Sequence, residues 1–332
     1  MKKIFLTFIL LSSAFLVFAQ TPKIALVKPN GTTTIHATFD AAYSAATDND
    51  YIYLPGGTFN PPGQLDKKLH IYGAGSNQDS SAITGKTILT SLQLYDGASG
   101  GTIEGVSIIS NLYIAQEIDG YTISNCHLNS CIYFDNLMTN SVIKNNSIGT
   151  CQIYSAYLSF YRHQSNTTGN ILNSLLSNNV IMGQLNLGDY LEVNNNLFFQ
   201  TSINLCTNST FNNNIFLDGS SSSNSTFNNN VNVSIQPSNV YNNNIVESFP
   251  DIFINPGTQP YTYNVHNDYH VKSTSQCHNS GTDGTDRGMY GGTFPWVEGM
   301  VPSNPHIYYK NVAPQTNASG QLQIHFRVRT GN

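Results

Sequence analysis

The sequence predicts an all-β fold, a solenoid of the parallel β-helix type, and three observations carry that prediction. The triplet Asn-Asn-Asn recurs between an aromatic and an aliphatic residue in "STFNNNIFLDGSSSSNSTFNNNVNVSIQPSNVYNNNIV", residues 209–246. A looser form of the pattern extends through Ile103-Glu104-Gly105, Ile123-Ser124-Asn125, Ile143-Lys144-Asn145, Leu176-Ser177-Asn178 and Val193-Asn194-Asn195. It continues to Phe211-Asn212-Asn213, Phe227-Asn228-Asn229 and Tyr241-Asn242-Asn243, at intervals of 20, 20, 33, 17, 18, 16 and 14 residues. Between these anchors lie short runs rich in Ile, Val, Tyr and Phe, such as "YTISNCHLNSCIYFDN", broken by Asn, Ser and Gly.

A repeat this short cannot bury its own apolar face and must stack on its neighbours. Leucine-rich repeats would need a fixed Leu pattern and a helical segment, and neither is visible. Asn tolerates the left-handed backbone that a sharp turn between sheets demands. At one turn in successive coils, Asn amides lie ~4.8 Å apart and can hydrogen-bond along the stack. The regular apolar partners argue against a disordered Asn-rich tract. The interval of 33 reads as two turns, with a degenerate repeat hidden near Tyr161. That gives about ten to thirteen coils and a length of roughly 50–60 Å.

The individual elements follow in chain order. "MKKIFLTFILLSSAFLVFAQ" has two Lys, a short apolar run and small residues before Gln20, the pattern of a secretory signal cleaved near Ala19; a hydrophobic first strand is the alternative. The expected organisation is a signal at 1–19, a β-helix with its cap over 20–296 and an appendage over 297–332. Thr38 is placed to N-cap a helix in which Phe39, Ala42, Tyr43 and Ala46 share one face, and this helix should cover the first coil. Cys131 and Cys151 are 20 apart, the local repeat interval, so they stack either as a small apolar ladder or as a disulfide. At the far end "QLQIHFRVRT" alternates, with Leu322, Ile324, Phe326 and Val328 on one face. With "PHIYYKNVA" it predicts a terminal β-hairpin-like appendage.

The Ala-rich helix followed by "DYIYLPGGTF" and "LHIYGAG" resembles the opening coils of the pectin-lyase-like superfamily. "DYHVKSTSQCHNSGTDGTDRGMYGG", residues 268–292, resembles the closing coil of secreted β-helix proteins common in Bacteroidetes. The resemblance covers most of residues 38–296 and implies a right-handed parallel β-helix; its end motifs are shared by catalytic and non-catalytic members.

Composition narrows the function. Only 10% of the 332 residues are charged, with 14 Lys+Arg against 19 Asp+Glu. A net charge of −5 offers no long-range attraction for nucleic acid or an anionic membrane, and no further stretch is long enough to span a bilayer. Five cysteines without a CxxC pair disfavour a disulfide scaffold and a zinc knuckle.

The resembled lyases hold calcium with clustered carboxylates and use an Arg or Lys base, and the hydrolases use grouped Asp residues. Here the acids of residues 100–250 are isolated: Glu104, Glu117, Asp119, Asp135, Asp189, Glu192, Asp218 and Glu247. The strong bases there are Lys144 and Arg162. His266, Asp268 and His270 share one face of an extended strand and would suit a metal, although the resemblance implies packing. Asp283 and Asp286 in "GTDGTDRG" could serve calcium or simply a turn; otherwise no cofactor is expected. The sequons at Asn166 and Asn224 follow from Asn and Ser richness.

The remaining candidate is "IYSAYLSFYRHQ", in which Tyr154, Tyr157, Tyr161, Arg162 and His163 combine aromatic faces with hydrogen-bonding tips suited to sugar rings. The alternative is that these rings pack in the core. The expectation is a secreted or cell-surface monomer without catalysis that binds extracellular polysaccharide or serves a structural or adhesive role. The alternative function is a lyase or glycoside hydrolase acting on an acidic polysaccharide.

Overall fold

A computed structural model describes residues 23–330, apart from 154–155, 159, 163–169, 186–187, 200–202, 204–205 and 221. The proposed leader therefore lies outside the described residues. The chain winds as a parallel β-solenoid of about eight turns, with ten parallel rungs in its longest sheet. One coil shows the plan. It enters sheet I at Thr122–Ser124, turns at Asn125, and passes His127–Leu128 in sheet II, Ile132–Phe134 in sheet III and Leu137–Thr139 in sheet IV. After Asn140 it re-enters sheet I one rung on, where Thr122 pairs with Val142.

Among the described residues, sheet I holds ten parallel strands from Tyr51–Tyr53 to Val240–Asn242, and sheet II holds nine from Gly57–Phe59 to Val231–Val233. Sheet III holds four, ending at Phe160–Arg162, and sheet IV five, ending at Cys206–Thr207. The shrinking repeat interval has its cause here: the later coils lose sheet III and then sheet IV. The interval of 33 is one turn rather than two, because Val142–Lys144 pairs directly with Leu175–Ser177. Its extra length leaves the coil as a hairpin in which Cys151–Ile153 lies antiparallel to Ala156–Leu158. Residues that bulge outside a coil add length without adding a rung.

The three consecutive amides have three positions. The first, at Asn194, Asn212, Asn228 and Asn242, ends each of the last four strands of sheet I and faces outward. There each Nδ2 donates to the preceding rung's Oδ1 at 2.8–3.0 Å. The second is the corner, where Asn178, Asn195, Asn213, Asn229 and Asn243 hold φ between 53° and 58°. Gly105 occupies the same corner with φ 70°. The third turns inward as a buried ladder, Asn146, Asn179, Asn196, Asn214 and Asn230, ending at half-buried Asn244, with Nδ2-to-Oδ1 distances of 2.9–3.2 Å. Each of these Oδ1 atoms also accepts the backbone N–H of the preceding rung, as Asn230 does from Asn214 at 2.9 Å. Beside them runs a buried apolar column in sheet I: Ile52, Ile71, Ile103, Ile123, Ile143, Leu176, Val193, Phe211 and Phe227. Its last rings stack, Phe211 on Phe227, at 4.6 Å.

Helix α1 (Phe39–Ala45) forms as expected: the Thr38 side chain accepts the Ala41 N–H, and Phe39, Ala42 and Tyr43 are buried in the core of the first rungs. The edge of sheet I itself is covered by Ile24–Val27, which pairs antiparallel with Tyr51–Tyr53 and with Thr33–His36. Cys131 and Cys151 are bridged, their Cα atoms 5.3 Å apart.

The segment that resembles a closing coil adds no rung. Asp268–Val271 pairs antiparallel with Phe253–Asn255, and the following chain runs back along the Asn corner. Arg287 donates to the carbonyls of Asn230 and Asn243, and Asn229 donates to Ser280 O. Asn213 joins Thr282, Asn195 donates to Gly288 O, and Asn178 to Met289 O and Gly291 O. Lys144 then sits 4.2 Å from the ring centroid of Phe294, and Ser303 donates twice to the buried carboxylate of Glu104. This strap descends from the last rungs to the first ones. It ends in an antiparallel hairpin, His306–Val312 with Ile324–Arg329.

Candidate functional site

The outward column of sheet II changes character along the solenoid. In its later rungs Val180, Leu197, Ile215 and Val231 are buried under a second core containing Phe249, Ile252, Phe253, Tyr269, Trp296 and Met300. In its earlier rungs the same column reads Ser107, His127 and Ser147. At His127 this column lines an open cleft of about 520 Å³, while Ser107 and Ser147 on either side of it are buried.

Three separate segments wall the cleft: residues 76–79 with Lys86, residues 263–266, and Met300 of the strap, with His127 and Met182 contributed by sheet II. The first wall is a loop closed at its base, where the Thr87 N–H donates to Gly75 O at 2.9 Å. Gly75 has φ 134°, a conformation that favours glycine. The loop is pinned to the strap by Ser80 Oγ donating to Gly299 O at 2.7 Å. Across the mouth, His266 Nδ1 stands 3.8 Å from Asp79 Oδ2, an ion pair when the imidazole is protonated.

Burial, followed by the charge of Lys86, pushes the His127 pKa below the usual histidine value, against the opposing effect of a hydrogen bond to Asn129. The imidazole is therefore neutral at pH 7 and offers one donor and one acceptor. Burial raises the Tyr263 phenol, which keeps its proton. The cleft thus combines amides (Asn77, Gln78, Asn264), the neutral His127 imidazole, the Asp79 carboxylate beside His266, one ammonium and an aromatic wall. Such a surface hydrogen-bonds hydroxyl-rich ligands and packs one flat face.

Of the residues singled out from sequence, Tyr154 and His163 lie outside the described residues. Tyr157 falls on the antiparallel hairpin, opposite Gln152. Tyr161 and Arg162 fall on sheet III, in register with Tyr133 and Phe134. The structure therefore places 157 and 161 on different elements. Position 161 continues a column in which the Tyr113 and Tyr133 rings lie 5.3 Å apart, and Asn111 Nδ2 donates to the Tyr113 hydroxyl.

The strand reading of His266, Asp268 and His270 holds for two of the three: His270 Nδ1 lies 2.8 Å from Asp268 Oδ1 while its ring stacks on Tyr290 at 3.9 Å, whereas His266 faces Asp79. Asp283 accepts the Thr285 N–H and hydroxyl, and Asp286 accepts the Asn279 N–H, both within turns. No group of three or more His, Cys, Asp or Glu placed to hold a metal ion occurs among the described residues.

Sequence reasoning missed Lys86, His127 and residues 263–265, which no local motif joins, and singled out His266 only as a metal candidate. One signal was available: Ile71 pairs with Ile103, an interval of 32 where the neighbouring coils take about 20, so this coil carries a protruding loop.

The fold and the cleft define the molecule as a parallel β-solenoid with a walled, polar groove on one sheet. No protein-family model matches the chain, and neither the curated proteins nor the solved structures contain a match.

Proposed function

We propose that the chain is an extracellular β-helix protein that binds polysaccharide in the cleft over sheet II, without cleaving it. The observation that carries this reading is that the outward column of sheet II, apolar and covered in its later rungs, presents His127 to an open cleft walled by amides and an aromatic ring. A surface that were only structural would continue the apolar column beneath a cover, as the later rungs do. Amides, a neutral imidazole and an aromatic wall suit sugar hydroxyls and a pyranose face, and the Tyr113–Tyr133 column on the next sheet extends the platform towards position 161.

A glycan array followed by calorimetry tests the reading. His127→Ala and Lys86→Ala should weaken the captured glycan by about tenfold or more each, the worth of one or two hydrogen bonds, while the melting temperature stays near wild type. Undiminished binding by both variants would remove the cleft as the site. The alternative activity, a lyase or hydrolase on acidic polysaccharide, would show as unsaturated product or reducing ends in the same mixtures. His127 beside Lys86 is the pair such chemistry would use.

A further inference from the structure

We propose that the C-terminal hairpin docks the protein on an anionic lipid surface. The pairing of Ile307 with Val328, Lys310 with Phe326 and Val312 with Ile324 puts one face on the ribbon that is apolar except for Lys310. The opposite face carries Tyr309 with Arg327, Asn311 with His325, and His306 with Arg329. Val312, Ile324, Phe326 and Val328 are 42–58% exposed, so nothing among the described residues covers the apolar face. The ribbon's root is fixed: His306 is buried and accepts from Arg329 Nε at 3.3 Å, just after the Ser303–Glu104 anchor. A two-stranded ribbon with an open apolar face is marginal by itself in water and gains by burying that face.

Charge says what buries it. Residues 304–332 contain Lys310, Arg327 and Arg329 and no acid, leaving 11 cations against 19 acids, a formal −8, on the rest of the chain. The whole-chain value of −5 hides this separation. A hairpin-to-hairpin dimer would bring three cations against three. An acidic polysaccharide would meet the cations yet leave the aliphatic and Phe side chains against hydroxyls. A bilayer interface with anionic headgroups satisfies both faces: the apolar side chains enter the headgroup boundary and the cations reach phosphate. The Arg327 guanidinium lies 5.4 Å from the Tyr309 ring centroid, and that of Arg329 lies 5.2 Å from that of Tyr308, so both cations are held on aromatic faces beside the apolar side.

The test is flotation of the full chain with vesicles of phosphatidylcholine alone or mixed with phosphatidylglycerol, at low and high salt. Binding is expected on the mixed vesicles only and should weaken as salt rises. The double variant Arg327→Glu, Arg329→Glu should lose about 30-fold in affinity, and Phe326→Ser should also lose binding. Both variants should keep the solenoid's circular dichroism and the glycan binding of the cleft, which separates this proposal from the previous one. Equal binding to both vesicle types, or none to either, overturns it. So does a mass in solution that shows a dimer broken by Phe326→Ser, which would make a second copy the occupant. Retention on an acidic polysaccharide that Phe326→Ser leaves unchanged overturns it as well.

Discussion

Residues 212, 213 and 214 are chemically identical, yet their surroundings assign them different energies. Asn214 is buried, accepts from the backbone and side chain of Asn196, and donates to Val193 O and Asn230 Oδ1. Asn214→Ala strands several buried groups at about 1–3 kcal/mol each, so a loss of more than about 3 kcal/mol is expected. Asn213→Ala forces a Cβ-bearing residue with less αL tolerance into φ 58° and releases Thr282, for about 1–2 kcal/mol; Asn213→Gly should restore the backbone part. Asn212→Ala breaks an outward ladder and should cost about 0.5 kcal/mol. Chemical denaturation of the three variants checks the order, and equal losses would show that position within the triplet does not matter.

His127 gives the residue scale its pH signature. Its folded pKa lies below the unfolded value near 6.5, so the folded state resists taking up a proton. The stability linked to it is present above that unfolded value and is lost as the pH falls below it. His127→Gln should flatten the fall in melting temperature between about pH 7 and pH 5; an unchanged slope would assign the effect to other groups.

At the scale of the element, the disulfide and the first helix each close something. The Cys131–Cys151 bridge spans 20 residues of sequence, for which loop-closure entropy predicts about 3 kcal/mol. Reductant should therefore lower the melting temperature of the wild type and leave Cys131→Ala, Cys151→Ala unchanged. The other cysteines, Cys126, Cys206 and Cys277, are buried and add no second bridge. Phe39→Asp puts a charge into the mouth of the solenoid and should cost about 3–5 kcal/mol. Because Ile24–Val27 already pairs with the first rung, this loss should come from the core rather than from a free strand edge. An equally stable variant would show that the helix does not seal the core.

At the scale of the whole molecule, legibility follows from how far apart the cooperating residues lie. The Asn corners, the Ile-to-Phe column and the Thr38 cap were readable because each is local or repeats at nearly constant intervals. The strap was not, since Asn195 meets Gly288 and Glu104 meets Ser303 across 93 and 199 residues. The cleft fails for the same reason: residues 77–79, 127 and 263–266 belong to three segments with no shared motif. What remained visible was arithmetic, the coil of 32 between Ile71 and Ile103 among coils near 20.

That excess makes a last prediction. Gly75 and Thr87 are already hydrogen-bonded at the loop's base, so residues 76–86 can be replaced by a two-residue Asn-Gly turn without moving the rungs on either side. The lost contacts are Ser80 with Gly299, Ser76 Oγ with Asn125 O and the Gly57 N–H with the Lys86 carbonyl, together worth about 2–4 kcal/mol. The shortened protein should therefore stay folded, with the β-sheet circular dichroism of the parent and a modestly lower melting temperature. It should lose polysaccharide binding, because Asn77, Gln78, Asp79 and Lys86 leave together while the Tyr113–Tyr133 column remains. Full glycan affinity in that variant would move the binding surface from sheet II to the aromatic column of sheet III. A solenoid that fails to form would show that the excess length is part of the rung rather than a loop upon it.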